Sequence, residues 1–334
     1  MVKIAVTELE YRKAEAVFAR AGEDGCDCIC VPAEEAALAG AIRAGEIRHV
    51  IIGVQRYGGA LYQALRPGAV IARFGVGHDG VDKAQATERQ LLCANTPGAL
   101  DDSVAEHTIN LMFAAARQTV AQAARLRAGE WAQQMGAELK GKTLAVIGCG
   151  AIGRRVGQIA ARGLGMKVIG CEVAELDLPR MRSEFGFSSV VRDFAEAVPG
   201  ADFVSLHIPS LPETRHFLNG ERLRLLSPQC WVVNTARGAV VDEAALFDAL
   251  AGGRLAGAAL DVFEREPYVP VAAGKDLRTL ANVIMTPHIS SSTREACDRM
   301  ASRALRNIQL AEAGKYEEMD LLNPGVLVKL GRQR

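Results

Sequence analysis

Six residues give the first chemical signal in the chain: Gly148-Cys149-Gly150-Ala151-Ile152-Gly153. The pattern G-x-G-x-x-G says little alone in a sequence with 33 glycines. Its setting says more. Thr143–Ile147 before it reads as a strand, and residues 154–162 after it read as a helix. A strand, a glycine turn and a helix in that order form a dinucleotide fingerprint. Gly148 permits the tight turn, Gly150 lets the backbone approach a pyrophosphate, and Gly153 lets helix and strand pack closely. The helix start, at Ala151 and Ile152, offers unpaired N–H groups and a positive dipole end to the phosphates. The alternative is an ordinary glycine turn. Glu172 ends the next apolar run, 172 − 153 = 19 residues after the last glycine. A carboxylate there accepts hydrogen bonds from ribose hydroxyls and repels a 2′-phosphate. Val173, Ala174 and Glu175 supply no cation, so NAD is expected rather than NADP. A solvated surface glutamate is the alternative.

A second set of residues lies late in the chain. Arg237 sits in Asn234-Thr235-Ala236-Arg237-Gly238, Glu266 in Asp261-Val262-Phe263-Glu264-Arg265-Glu266-Pro267, and His288 in Met285-Thr286-Pro287-His288-Ile289. Each follows the carboxyl end of a run that reads as a strand. Open α/β sheets bind their ligands at that edge. Taken singly, an Arg-Gly after a strand is a surface turn and a His after Pro is structural.

Elements with the right polarity are needed to place these groups. Residues 3–6, 28–31, 49–54, 70–74 and 91–95 read as strands separated by helical stretches such as 34–44. A second alternating series follows at Thr143–Ile147, Lys167–Cys171, 203–207, Trp231–Asn234, 257–262 and Val283–Met285. Alternation of this kind predicts parallel sheets with helices on both faces. Between the two series, Val104, Thr108, Leu111, Met112 and Ala115 recur at helical spacing. They predict one long amphipathic helix across 101–128, ended by Gly129. Ser103 and Glu106 have the form of a capping box for it. Ser292 and Glu295 have the same form before a last helix over 293–314.

Composition narrows the function class. With 334 residues, two domains are expected. Thirty-nine basic residues balance thirty-nine acidic ones, which gives no footprint for nucleic acid or an anionic membrane. No apolar run approaches the roughly 20 residues that span a bilayer. The opening Met1–Val6 reads as a strand and not as a signal peptide, so a cytoplasmic protein is expected. Cys26, Cys28 and Cys30 alternate along one run, as on one strand face. Without C-x-x-C pairs or nearby histidines they predict no metal site.

Over almost its whole length the chain resembles the D-isomer-specific 2-hydroxyacid dehydrogenase family. The resemblance is carried, in order, by RFGVGHDGVD at 73–82, NTPGALDDSVAEHT at 95–108, the glycine turn, LHIP at 206–209, NTARG at 234–238, ALDVFEREP at 259–267 and TPHI at 286–289. The family's catalytic arginine falls on Arg237, its glutamate on Glu266 and its histidine on His288. The resemblance implies that Arg237 holds the carboxylate and carbonyl oxygen of a keto acid. His288 exchanges a proton with that oxygen, and Glu266 fixes the imidazole. Glu264 competes for the carboxylate role. The family keeps the acid that precedes proline, which favours Glu266. Val76 and Gly77 are expected to offer backbone N–H groups to the substrate carboxylate. Asp261, Thr235, Ala236, Ile208, Pro209 and Thr108 match cofactor-facing positions, and plain core packing remains open for Ile208. His107 and His78 are assigned no catalytic role. Arg73 matches a position that carries phosphate-binding arginine in the phosphoglycerate branch, although other branches carry it too.

Two doubly wound α/β domains of Rossmann and flavodoxin type are therefore expected, with an active-site cleft between them. Residues 1–100 plus 290–334 form the expected substrate-binding domain, and 101–289 the NAD-binding domain. The long helix and Trp131 resemble the family's dimer arm, which implies a homodimer. The implied activity is NAD-dependent interconversion of a small D-2-hydroxy acid and its 2-keto acid. Two rivals stand beside it. One is an NAD(H)-responsive binding protein of the corepressor kind, which the neutral charge disfavours. The other is a phosphoglycerate- or phosphite-type dehydrogenase; the phosphite enzyme has a lysine where this chain has Val76.

Overall fold

Apolar runs of three to six residues, each followed by a helix or turn, set the architecture. In a computed structural model, which describes residues 1–331, they form two separate parallel sheets. Residues 332–334, at the end of the segment predicted to rejoin the first domain, lie outside the described residues. The chain divides into two compact units, Met1–Leu100 with Ser291–Arg334, and Asp101–Ser290.

The first unit holds β1 (Val2–Thr7), β2 (Cys26–Val31), β3 (His49–Ile52), β4 (Val70–Arg73) and β5 (Leu92–Ala94). Their spatial order is β2-β1-β3-β4-β5, and every pairing is parallel. The helix Arg294–Glu312 belongs to this unit and packs on β4. Within the unit, Asn307 Nδ2 donates to the Asn95 carbonyl at 3.0 Å.

The second unit holds β6 (Thr143–Ile147), β7 (Lys167–Cys171), β8 (Ser189–Val191), β9 (Phe203–Leu206), β10 (Trp231–Asn234), β11 (Gly257–Leu260) and β12 (Val283–Met285). The order is β12-β11-β10-β9-β6-β7-β8, again all parallel. Every residue of β9 and β11 is buried, because helices cover both faces. This is why these strands read as continuous apolar runs and not as alternating ones. The period-two geometry still sorts side chains between two cores. Ala145 and Ile147 join Leu246 and Leu250 on one face, and Leu144 and Val146 join Met112 and Val156 on the other.

Four local expectations are corrected. Ser103 lies inside the helix Asp101–Arg117 and donates to the Ser290 carbonyl at 2.9 Å, so it caps nothing. The last helix is capped by Thr293, whose hydroxyl accepts from Ala296 N, and not by Ser292. The helix over 101–128 is broken at Gln118, which takes φ 51° and starts a second helix, Thr119–Arg127. The cause is the returning chain: Ala137 N donates to the Ala116 carbonyl at 2.8 Å, so the end of the first helix is capped from outside. Finally, β8 has no counterpart among the predicted strands. Its three residues form an edge strand too short to show a period.

The turn after β6 shows which glycines the fold demands. Gly148 takes φ 93°, and a Cβ on Gly153 would collide with the Gly148 carbonyl oxygen. A Cβ on Gly150 meets nothing within 4 Å. Gly153→Ala should therefore cost about 1–3 kcal/mol and lower the thermal midpoint by several degrees. Gly150→Ala should leave it within a degree or so, because Gly150 has φ −68° and an added Cβ would meet nothing. Differential scanning calorimetry of the two variants checks the pair.

Candidate active site

The second sheet places the sequence-derived residues in one row. All its strands are parallel, so every loop after a strand opens on the same edge. Along that edge stand His288 after β12, Glu266 after β11, Arg237 after β10, Ile208 and Pro209 after β9, the glycine turn after β6, and Glu172 after β7. Neighbouring strands are about 4.8 Å apart, so β10 and β12 lie about 10 Å apart. The glycine turn sits at β6, from which the chain winds first to β7 and β8 and then returns to β9 on the other side. That strand is the topological switch point, where an open α/β sheet has its crevice.

Each loop is shaped by a side chain at its root. After β10 the Asn234 side chain folds the turn: Oδ1 accepts from Ala236 N at 3.0 Å and Nδ2 donates to the Arg237 carbonyl at 2.9 Å. Arg237 is half-buried, and its Nη1 donates to the Ala236 carbonyl at 2.6 Å. Thr108 and Thr235 are both buried, with their hydroxyls 2.8 Å apart, and so tie the Asp101–Arg117 helix to this turn.

After β11 comes Asp261, fully buried. Its Oδ1 accepts from Thr286 Oγ1 at 2.5 Å and from Ile289 N at 2.9 Å, and its Oδ2 accepts from Ser290 N at 2.9 Å. Burial alone would raise its carboxyl; the nearby His107 and the hydrogen bonds from Thr286, Ile289 and Ser290 hold it below the usual range. One carboxylate thus fastens the whole 286–290 loop. His288 sits in that loop at φ 52°, a left-handed conformation that costs a non-glycine residue about 1–2 kcal/mol. Its N–H donates to the Asp261 carbonyl at 2.9 Å, which helps hold it there.

His288 Nδ1 lies 2.7 Å from Glu266 Oε2, and the other oxygen, Oε1, accepts from Phe263 N at 3.0 Å. An ionised carboxylate can only accept, so Nδ1 carries a proton and Nε2 is the atom left for chemistry. Both side chains are partly exposed, at 25% for His288 and 30% for Glu266. A reacting group can therefore reach them. Of the two competing acids, Glu266 meets His288, whereas Glu264 Oε2 lies 2.9 Å from His216 Nε2.

The glycine turn fits a dinucleotide on its own geometry. The helix Ala151–Gln158 begins at Gly150 with no side-chain cap, so its first N–H groups keep their capacity for an anion. The absent Cβ of Gly150 leaves open space there, while Ile208 packs against Gly148. Glu172 is fixed beside the turn: Oε2 accepts from Cys149 N at 2.9 Å and Oε1 from Ala174 N at 3.1 Å.

Val76 and Gly77 belong to the first unit, in the turn after β4. Asn95 Nδ2 donates to the Val76 carbonyl at 2.7 Å, and Thr96 N donates to that of Gly75 at 3.1 Å. Arg73 is buried, and its guanidinium donates to the Phe74 carbonyl.

Sequence reasoning passes over His107. Its Nε2 lies 3.2 Å from Thr286 Oγ1 and 3.6 Å from Asp261 Oδ1, so it backs the same loop as Asp261. Only the fold brings residues 107 and 286 together, and no local motif announces the pair.

Residues 109–290 match the family model described as D-isomer specific 2-hydroxyacid dehydrogenase, NAD binding domain. A glyoxylate reductase from Thermococcus litoralis is 39% identical over 267 residues, covering 77% of this chain and 78% of that protein. A D-3-phosphoglycerate dehydrogenase from Methanocaldococcus jannaschii is 40% identical over 266 residues, which is 79% of this chain but 49% of that longer protein. The crystal structure of the TT0316 protein from Thermus thermophilus superposes with a TM-score of 0.83 at 32% identity, covering 96% of this chain and 100% of the other. The chain belongs to the D-isomer-specific 2-hydroxyacid dehydrogenase family.

Proposed function

We propose that this protein reduces a small, unphosphorylated 2-keto acid, glyoxylate or a close analogue, to its 2-hydroxy acid, of D configuration where C2 is a stereocentre, and runs the reverse oxidation, with NAD as cofactor. One observation carries the reading. An imidazole with its Nδ1 held by a carboxylate stands on the same sheet edge as a guanidinium and a dinucleotide turn.

Each residue then has a task. Arg237 grips the carboxylate and draws on the carbonyl oxygen through its planar fork of donors. The reduced nicotinamide supplies the hydride that arrives at C2. His288 Nε2 gives its proton to the carbonyl oxygen, completing the 2-hydroxyl, and takes it back in oxidation. Glu266 fixes the tautomer and favours the charged imidazole. Asp261 holds the loop on which His288 rides. Backbone N–H groups at Val76 and Gly77 are proposed to receive the substrate carboxylate. Gly148, Gly150, Ala151, Ile152 and Gly153 receive the pyrophosphate. Thr235, Ala236, Ile208, Pro209 and Thr108 line the cofactor's path, and Glu172 takes the adenosine ribose. The buried Arg73, occupied with the Phe74 carbonyl, supports an unphosphorylated substrate. The glyoxylate reductase relatives point the same way.

A homodimer is part of the proposal. No residue of the Thr119–Arg127 helix is buried, and Phe113, Val120, Leu126, Trp131 and Met135 are large, apolar and exposed. So many large apolar side chains exposed between residues 113 and 135 support a contact surface there. No described helix is long and apolar enough to cross a membrane.

A panel of 2-keto acids assayed by NADH oxidation tests the activity. Glyoxylate or a close analogue should turn over. His288→Gln should lower kcat roughly 10²–10⁴-fold, and Arg237→Ala should lower kcat/KM about a hundredfold or more. If no keto acid turns over, the reading fails. For the cofactor, kcat/KM should be higher with NADH than with NADPH, and Gly150→Ala should weaken NADH binding about tenfold or more without unfolding the protein. A preference for NADPH overturns the role given to Glu172. Light scattering at micromolar concentration should give twice the chain mass, and a monomer overturns the dimer.

A further inference from the structure

We propose that Glu243 is a positioning residue for this reaction, and that with Glu264 it forms a reciprocal latch holding the Glu266 loop against the Arg237 turn. The inference rests on the function proposed above. Glu243 opens the helix Glu243–Ala251, six residues after Arg237. Its backbone N–H donates to Glu264 Oε1 at 3.2 Å, and the Glu264 N–H donates back to Glu243 Oε1 at 2.5 Å. Each glutamate therefore holds the other's backbone across 21 residues of sequence. Such a pair fixes both position and direction, since neither loop can slide without breaking two bonds.

The latch is clamped from two more sides. A Cβ on Gly238 would collide with the Phe263 carbonyl carbon, so the residue after Arg237 lies directly on the backbone that leads to Glu266. Glu264 Oε2 faces His216 Nε2 at 2.9 Å and Arg215 Nη2 at 3.4 Å, and His216 N donates to the Ala239 carbonyl at 2.8 Å. Three loops, at 215–216, 237–243 and 263–266, are thereby tied into one body. Arg237 and Glu266 are carried on two of them.

Glu243 is 3% exposed, and its Oε2 has no hydrogen-bond partner among the described residues. A buried carboxylate with an unmet oxygen is costly, whereas a neutral carboxyl costs far less. Burial pushes Glu243 up to about 7; the Glu264 N–H pulls it down, the charges of Glu264 and Glu266 push it up, and Arg265 pulls it down. His216 and Arg215 answer the charge of Glu264. A proton on Glu243 is the less costly state of this buried carboxyl.

Glutamine copies a protonated glutamate and keeps Oε1 as acceptor, which gives the test its contrast. Glu243→Ala and Glu243→Gln are made in the full chain and assayed with glyoxylate and NADH. Glu243→Ala should lower kcat about tenfold or more, with the NADH dissociation constant within about twofold of wild type. The alkaline limb of its kcat/KM profile should move to lower pH, as Glu266 loosens from His288. Glu243→Gln should restore both. The proposal is overturned if Glu243→Ala keeps wild-type kcat, if it weakens NADH binding in proportion to kcat, or if Glu243→Gln is equally impaired.

A second measurement needs no turnover. The folded value of about 7 lies above the ordinary 4.5. The contribution of Glu243 to stability is therefore complete below about 4.5 and is lost as pH rises through 7. The gain in thermal midpoint of Glu243→Gln over wild type should grow from pH 5 to pH 8. A gain that does not change with pH overturns the proton assigned to Glu243. Wild-type inactivity together with a growing gain would instead reject the function and keep the latch.

Discussion

Parallel pairing is the constraint from which the site follows. Because all seven strands of the second sheet run the same way, every strand-to-helix loop must open at one edge. Strand order then fixes the order of groups along that edge, from His288 through Glu266 and Arg237 to the glycine turn and Glu172. The chain reverses its winding at β6, and the two halves of the edge diverge there. The Gly148–Gly153 turn and the uncapped start of the Ala151–Gln158 helix at that point would hold a dinucleotide's pyrophosphate. No single loop could supply both the anion site and the proton donor.

Carboxylates, two of them buried, convert that placement into fixed geometry. Asp261 gathers three donors from the 286–290 loop and holds His288 in a left-handed conformation that it would leave if unconstrained. Glu266 sets which imidazole nitrogen faces outward. Glu243 and Glu264 bind the neighbouring loops to each other. The left-handed His288 persists because the contacts around it over-determine its backbone.

Much of this was legible in the sequence, for reasons that can be named. Runs such as Phe203–Leu206 are apolar without alternation because both sheet faces are covered, so they announce a parallel sheet. The glycine turn is legible because two of its glycines answer local demands, a positive φ at 148 and a close carbonyl at 153. Illegible features depend on contacts distant in the chain. Ser103 has the form of a cap but spends its hydroxyl on Ser290. The break at Gln118 comes from a chain that returns about twenty residues later. Glu243 reads as an acid favouring a helix dipole, and nothing nearby shows that Glu264 faces it. His107 looks like an ordinary helix residue, because Thr286 and Asp261 approach it only through the fold.

Direct transfer between the nicotinamide ring and the substrate carbon is the claim on which the account stands. NADH carrying deuterium at both C4 positions, incubated with glyoxylate and the enzyme in ordinary water, tests it by mass spectrometry of the glycolate. The account predicts glycolate labelled on carbon at C2 and no label in the solvent. Unlabelled glycolate, with deuterium released to water, would contradict it.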